Sequence, residues 1–184
     1  MKTNQLAQNA LFAALTAVLS QLSLAIGPIP FSFGIFGAFL TGLMLRPANA
    51  AAAIGIYLLL GAAGLPVFAG FKGGLSVLTG MTGGFLLGYL LIAFTTAVAV
   101  EKTRQFPFAV KTSAILFAEF AGLIACYALG SAWFMIISGN PLSVALSACV
   151  LPFVLPDCLK IVLAYGAALL LKRRLAKAGL FQAA

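Results

Sequence analysis

Long apolar segments separated by short clusters of basic residues make up most of this chain. Of its 184 residues, 63% are hydrophobic and only 8% are charged. A soluble domain of this length does not need so many apolar side chains, so the pattern predicts an all-α integral membrane protein. The net charge of +8 lies in the clusters between segments. That distribution is the topology signal of a membrane protein, not a face that binds nucleic acid.

Six transmembrane helices are predicted from the apolar runs and from the Gly, Pro and charged residues between them. The segments are residues 6–26, 33–45, 48–63, 81–100, 112–137 and, after a short apolar piece at 142–151, residues 156–178. Gly27-Pro28 should end the first helix, and a charged loop is expected at residues 101–111. The first run has no evident cleavage site, so we interpret it as a membrane helix and expect one transmembrane domain over residues 1–184.

The distribution of basic residues predicts the orientation of this bundle. With the N-terminus in the cytoplasm, nine of the 11 Lys and Arg residues, Lys2 among them, fall on the cytoplasmic side. Lys72 faces outside and Lys160 lies within the membrane. The positive-inside rule therefore predicts a protein of the cell membrane with both termini in the cytoplasm.

Asp157 and Lys160 are the only charged residues between positions 142 and 171. They share one helical face, and a charge inside a bilayer is usually functional because it costs about 2.5–3.5 kcal/mol. Counting back from Lys172 places Lys160 about 18 Å and Asp157 about 22 Å along the helix, in the outer half of the bilayer. This depth predicts a ligand pocket near the extracellular side. The alternative is a structural ion pair that neutralises itself.

Glu119 is the other charge expected inside the membrane. It could close the floor of the pocket, pair with Lys160 or extend back towards Lys111. Tyr127 and Trp133, near the outer end of the fifth helix, could be interface anchors or a stacking wall for a ring. The sequence leaves these alternatives open.

A glycine-rich segment surrounds Lys72, with Gly73 and Gly74 directly after it. It is not a nucleotide-binding loop, because no Lys-Ser or Lys-Thr follows. It is either a flexible outer loop or a lid whose glycines let the backbone approach a ligand. Thr79 and Thr82 add hydroxyl groups beside it.

Small residues recur at helical spacing in two of the predicted helices. The set Gly80, Gly84 and Gly88 favours close helix packing. In the first helix the pairs are Ala10 with Ala14 and Ala13 with Ala17. These pairs could serve internal packing or a docking face for another membrane subunit.

Several kinds of chemistry lack the residues they need. The chain has no His, and its 3 Cys contain no Cys-x-x-Cys, so we expect neither a metal site nor a disulfide framework. Nucleotide-binding and catalytic motifs are also absent. We therefore expect no catalytic residues and no cofactor. A small membrane chain with a polar pocket and no energy source suggests a substrate-binding subunit.

Three motifs resemble those of the BioY family, the biotin-binding components of energy-coupling-factor transporters. The first is Gly-Leu-Pro-Val-Phe-Ala-Gly at 64–70, followed by Gly73-Gly74 and by Thr-Gly-Gly-Phe-Leu-Leu-Gly-Tyr at 82–89. The others are Pro30-Phe31-Ser32, and Pro152-Phe153 followed by Asp157 and Lys160. The resemblance covers essentially the whole chain. Met81, Pro156 and Phe71-Lys72 depart from the family's usual residues.

The resemblance implies a six-helix bundle that captures biotin outside the cell. It also implies a transmembrane coupling protein and two cytoplasmic ATPases as partners, with the alanine pairs of the first helix as the docking surface. The candidate ligand-binding residues are Asp157, Lys160, Lys72, Gly73, Gly74, Thr79, Tyr89 and Glu119. The competing hypotheses are a small membrane-embedded enzyme and an ion or proton pathway, either of which would use Asp157, Lys160 and Glu119.

Overall fold

The computed structural model describes residues 3–24 and 29–177, and these residues are mostly helical. In chain order the helices are α1 (Thr3–Gln21), α2 (Gly34–Met44), α3 (Pro47–Ala62), α4 (Leu75–Thr79), α5 (Gly83–Lys102), α6 (Phe108–Ser138), α7 (Leu142–Cys149) and α8 (Leu151–Lys177). Two short strands, β1 (Ser23–Leu24) and β2 (Phe31–Ser32), pair antiparallel between α1 and α2.

Close packing of α5 against α6 forms the most extensive helix interface of the bundle. It depends on glycines, because a Cβ atom on Gly84 would lie 2.4 Å from Cβ of Trp133. A Cβ atom on Gly88 would lie 2.4 Å from Sγ of Cys126. The packing role predicted for Gly84 and Gly88 is therefore confirmed, whereas Gly80 lies before α5 and a Cβ atom there would meet the carbonyl oxygen of Ser76. The apolar helix α2 is buried along most of its length and packs against α1, α5 and α8.

Three of the described helices, α5, α6 and α8, are long and apolar enough to cross a membrane. The helices α2 and α3 are apolar but shorter, as expected from the sequence. Both ends of the bundle are recognisable from the chain path. We call the end that carries residues 65–74 the pocket end. The opposite end carries Arg46 and Glu101, whose side chains form an exposed ion pair at 3.5 Å.

The predicted extent of the first helix is wrong. The helix ends at Gln21 rather than continuing to residue 26, because Ser23 pairs with Ser32 and Leu24 with Phe31 in the two-stranded sheet. The predicted stop at Gly27-Pro28 lies outside the described residues. An all-helical interpretation did not foresee these strands, since two-residue strands have no periodicity to detect.

Two boundaries near charged or proline residues also differ from the prediction. The last helix begins at Leu151, and Pro156 lies inside it rather than at its start. Pro156 is close to the helix N-terminus, so its missing N–H removes only one hydrogen bond. The charged loop is shorter than 101–111, because α5 continues to Lys102 and α6 begins at Phe108. The predicted end of the last helix at residue 178 lies outside the described residues.

Candidate ligand-binding site

Two adjacent cavities open at the pocket end of the bundle, with volumes of about 90 Å³ and about 50 Å³. They share a wall formed by the chain around Ser32, by Phe85 and by Tyr89. Lys72 lines the larger cavity, whereas Asp157 and Lys160 line the smaller one. The fold therefore brings the glycine-rich loop and the ion pair to two adjoining cavities.

The ion pair between Asp157 and Lys160 is buried within this site. Lys160 Nζ donates a hydrogen bond of 2.8 Å to Asp157 Oδ1, and both residues are 3% exposed. It donates a second bond of 2.8 Å to the backbone carbonyl oxygen of Ser32. Nζ also lies 3.8 Å from the centre of the Phe31 ring, a cation–π contact. These contacts compensate the lysine charge for its removal from water.

Tyr127 completes the surroundings of the aspartate. Its hydroxyl donates a hydrogen bond of 2.7 Å to Asp157 Oδ2, from α6 to α8. Tyr127 also lines the smaller cavity. The sequence left its role open, because no spacing rule connects residues 30 positions apart on different helices. Trp133 instead donates to the carbonyl oxygen of Gly80, so it stabilises the start of α5.

The short β-sheet positions the aromatic part of the site. Phe31 in β2 stacks on Phe153 of α8, with ring centres 6.3 Å apart and planes at 12°. Ser32 Oγ accepts a hydrogen bond of 2.9 Å from the backbone N–H of Gly34, at the first residue of α2. The motif at Pro30-Phe31-Ser32 was noted only as a resemblance, and its contact with Lys160 could not be deduced from sequence.

The loop at residues 65–74 covers the larger cavity and is anchored by one buried ring. Phe68 is 1% exposed and packs edge-on against Tyr57 at 5.4 Å. The backbone N–H of Phe71 donates to Gln21 Oε1 at 2.9 Å, and that of Gly70 donates to Ser23 Oγ at 3.1 Å. Phe71 itself has φ of 57° and is 71% exposed. Such a backbone is uncommon for a bulky residue, so this tip is strained.

Four of the predicted ligand-binding residues line the cavities and four do not. Those that do are Asp157, Lys160, Lys72 and Tyr89. Gly73 and Gly74 shape the loop instead, and the φ of 97° at Gly74 favours glycine there. Thr79 is exposed and donates to the carbonyl oxygen of Leu75, whereas Thr82 lines the larger cavity.

Glu119 is fully buried in the middle of α6 but lines neither of these two cavities. Neither of its carboxyl oxygens has a hydrogen-bond partner among residues 3–24 and 29–177. The structure therefore shows none of the three alternatives left open for Glu119: it lines neither cavity and pairs with neither Lys160 nor Lys111.

The alanine pairs of α1 divide between two environments. Ala10 and Ala14 are exposed on the outer surface of the bundle. Ala13 is only 1% exposed and packs inside, and Ala17 is half-buried. Only the first pair therefore presents a small-residue surface to a neighbouring molecule in this conformation.

The fold and this site define a helical membrane protein with a small pocket whose wall carries one buried ion pair. A sequence model of the BioY family matches residues 1–177. The chain belongs to the BioY family.

Similar proteins have been described from bacteria and archaea. The biotin transporter BioY of Thermotoga maritima is 39% identical over 169 residues, covering 92% of this chain and 96% of the relative. The probable biotin transporter BioY of Pyrococcus horikoshii is 36% identical, covering 87% and 91%. The crystal structure of the S-component for biotin from an ECF-type ABC transporter superposes with a TM-score of 0.79 at 26% identity, covering 96% and 95% of the two chains. These relatives are transporters by name, not enzymes.

Proposed function

We propose that this chain is the biotin-binding subunit, or S component, of an energy-coupling-factor transporter for vitamin uptake. The observation that carries the proposal is the buried Asp157–Lys160 pair in the wall of a cavity, in a chain whose relatives are biotin transporters. A purely structural ion pair would not need to line a cavity. The chain binds its ligand and does not transform it.

The polar groups of the site match the chemistry of biotin. Biotin has a ureido ring with N–H donors and a carbonyl acceptor, an apolar thioether ring and a carboxylate tail. Asp157 accepts a ureido N–H, and Lys160 donates to the ureido carbonyl or to the carboxylate. Phe85 and Tyr89, which line both cavities, contact the apolar ring, and Lys72 attracts the anionic tail.

The proposed orientation places the pocket end outside the cell and both termini in the cytoplasm. The basic residues support it, because Arg46, Lys102 and Lys111 lie at helix ends opposite the loop that carries Lys72. By the positive-inside rule the basic end is cytoplasmic. We propose six membrane spans in the cell membrane, with the short α2 and α3 counted as two of them.

The proposed partners are a transmembrane coupling protein and two cytoplasmic ATPases, which supply the energy that this chain has no nucleotide motif to supply. The S component would reorient in the membrane to deliver biotin inside. Ala10 and Ala14 are the proposed docking residues, because small exposed side chains on a membrane helix allow another helix to approach closely.

Biotin binding tests the proposal directly. Mass spectrometry should detect biotin that co-purifies with the detergent-extracted chain, and the variant with both Asp157→Ala and Lys160→Ala should lose it. The matched control is the variant with both Arg46→Ala and Glu101→Ala, which removes an exposed ion pair at the opposite end. Unchanged biotin binding in the first double variant would contradict the assigned site.

Assembly needs a separate experiment. Ala14→Trp should keep biotin binding but reduce both co-purification with the coupling protein and biotin uptake into cells. Phe117→Trp is the control, because Phe117 is 76% exposed on α6, a different helix. Equal uptake in the two variants would argue against docking through α1.

A further inference from the structure

Tyr127 contacts Asp157, the acidic partner of the buried ion pair. Its hydroxyl donates a hydrogen bond of 2.7 Å to Asp157 Oδ2. The other oxygen, Oδ1, accepts from Lys160 Nζ at 2.8 Å. Each oxygen of the Asp157 carboxylate therefore accepts one hydrogen bond from the protein.

A carboxylate oxygen can accept about two hydrogen bonds, so Asp157 keeps limited acceptor capacity towards the cavity. The donor from Tyr127 also fixes the rotation of the carboxylate about its last bond, since the two donors approach from different helices, α6 and α8. With Lys160 alone, Oδ2 would be free to turn into the cavity.

Ligands with different nitrogen groups use a carboxylate differently. A neutral ureido group presents an N–H donor beside a carbonyl acceptor, which complements an aspartate beside a lysine. A guanidinium group presents two parallel N–H donors, which bind best to both oxygens of a free carboxylate. The hydrogen bond from the Tyr127 hydroxyl to Oδ2 therefore disfavours binding of a guanidinium group through both oxygens. It leaves binding of a ureido group available.

We propose that Tyr127 is a positioning and specificity-determining residue, which holds Asp157 so that the pocket prefers a neutral ureido ligand over its guanidinium analogue. The inference rests on the proposed biotin function and deepens it. Tyr127 acts through Asp157 and is not required to contact the ligand itself.

The chain contains a matched control for this role. Tyr165 also connects α6 to α8 through its hydroxyl, which is 2.7 Å from Thr112 Oγ1. It lines neither of the two cavities. Tyr165→Phe therefore removes the same kind of interhelical hydrogen bond without affecting Asp157.

The experiment measures the affinities of purified wild type, Tyr127→Phe and Tyr165→Phe for biotin and for iminobiotin, its guanidino analogue, at neutral pH. Tyr127→Phe should weaken biotin binding about 10-fold, because Asp157 is no longer held in the orientation that accepts a ureido N–H, and should weaken iminobiotin binding less than about 3-fold. Tyr165→Phe should change neither affinity by more than about 2-fold. Equal losses for both ligands in Tyr127→Phe, or values like those of Tyr165→Phe, would overturn the inference.

A second variant covers the case in which Tyr127→Phe does not fold. A fluorinated tyrosine at position 127 keeps the shape of the ring but is a stronger hydrogen-bond donor. It should shift the ratio of the two affinities further towards biotin, and an unchanged ratio would count against the proposal. Failure of the wild type to bind biotin would refute the proposed function, whereas binding without a change in ratio refutes only the role of Tyr127.

Discussion

Lys160 Nζ donates a 2.8 Å hydrogen bond to the backbone carbonyl oxygen of Ser32, 128 positions away in the sequence. This bond joins the ion pair on α8 to strand β2. Strand β1, paired with β2, carries Ser23, whose hydroxyl accepts from the loop over the larger cavity. The charged pair, the sheet and the loop are thus connected through hydrogen bonds around one site.

Removing one partner of the ion pair should destabilise the protein more than removing both partners. Lys160→Met leaves the buried Asp157 carboxylate with Tyr127 alone and should lower the free energy of unfolding by about 3–5 kcal/mol. Adding Asp157→Leu removes the uncompensated charge, so the double variant should recover much of the stability while not binding biotin. Denaturation in mixed detergent micelles measures the free energy of unfolding of both variants. A double variant less stable than Lys160→Met would contradict the prediction.

A side chain at Gly61 should not be tolerated, because the ring of Phe68, which anchors the loop at residues 65–74, packs against this glycine. A Cβ atom there would lie 2.0 Å from the Phe68 ring, so Gly61→Ala should displace the ring and destabilise the protein by about 1–3 kcal/mol. The control is Gly55→Ala on the same helix, where nothing lies within 4 Å. Protease sensitivity of residues 65–74 should increase only in the first variant, and similar digestion of both would show that Phe68 does not anchor the loop.

A side chain at Gly88 should also be poorly tolerated, because it would enter the interface between α5 and α6. A Cβ atom on Gly88 would lie 2.9 Å from the Cα of Cys126, so a backbone shift rather than a side-chain rotation is needed. Gly88→Ala should lower the thermal unfolding temperature of the detergent-solubilised protein, at an energetic cost of about 1–3 kcal/mol. Gly166→Ala on α8, with open space around it, is the control. Equal unfolding temperatures would mean that the helices separate at little cost.

Glu119 should contribute little to ligand affinity. Because its carboxyl group lines neither cavity, Glu119→Gln should change biotin affinity by less than about 2-fold in a titration of the purified chain. The amide has nearly the same shape, so the packing of α6 should persist. A loss of 10-fold or more would place Glu119 in contact with the ligand in some conformation.

The sequence alone determined the class of the protein and most of its helices. Apolar runs bounded by Gly, Pro and charged residues predict buried helices, because exposing apolar surface to water and burying charge both cost free energy. Helices α2 and α3 were therefore predicted within one residue at each end, and Asp157 and Lys160 stood out because charges are rare in such segments.

The tertiary structure decided what surrounds that pair. The contacts of Ser32, Phe31 and Tyr127 with the pair join separate elements, and no local pattern encodes the distance between residues brought together by packing. Tertiary contacts also separated Ala13 from Ala10, since burial depends on which helix face meets a neighbour and not on spacing. The sequence identified which charges lie within apolar segments, and the folded bundle determined which groups those charges meet.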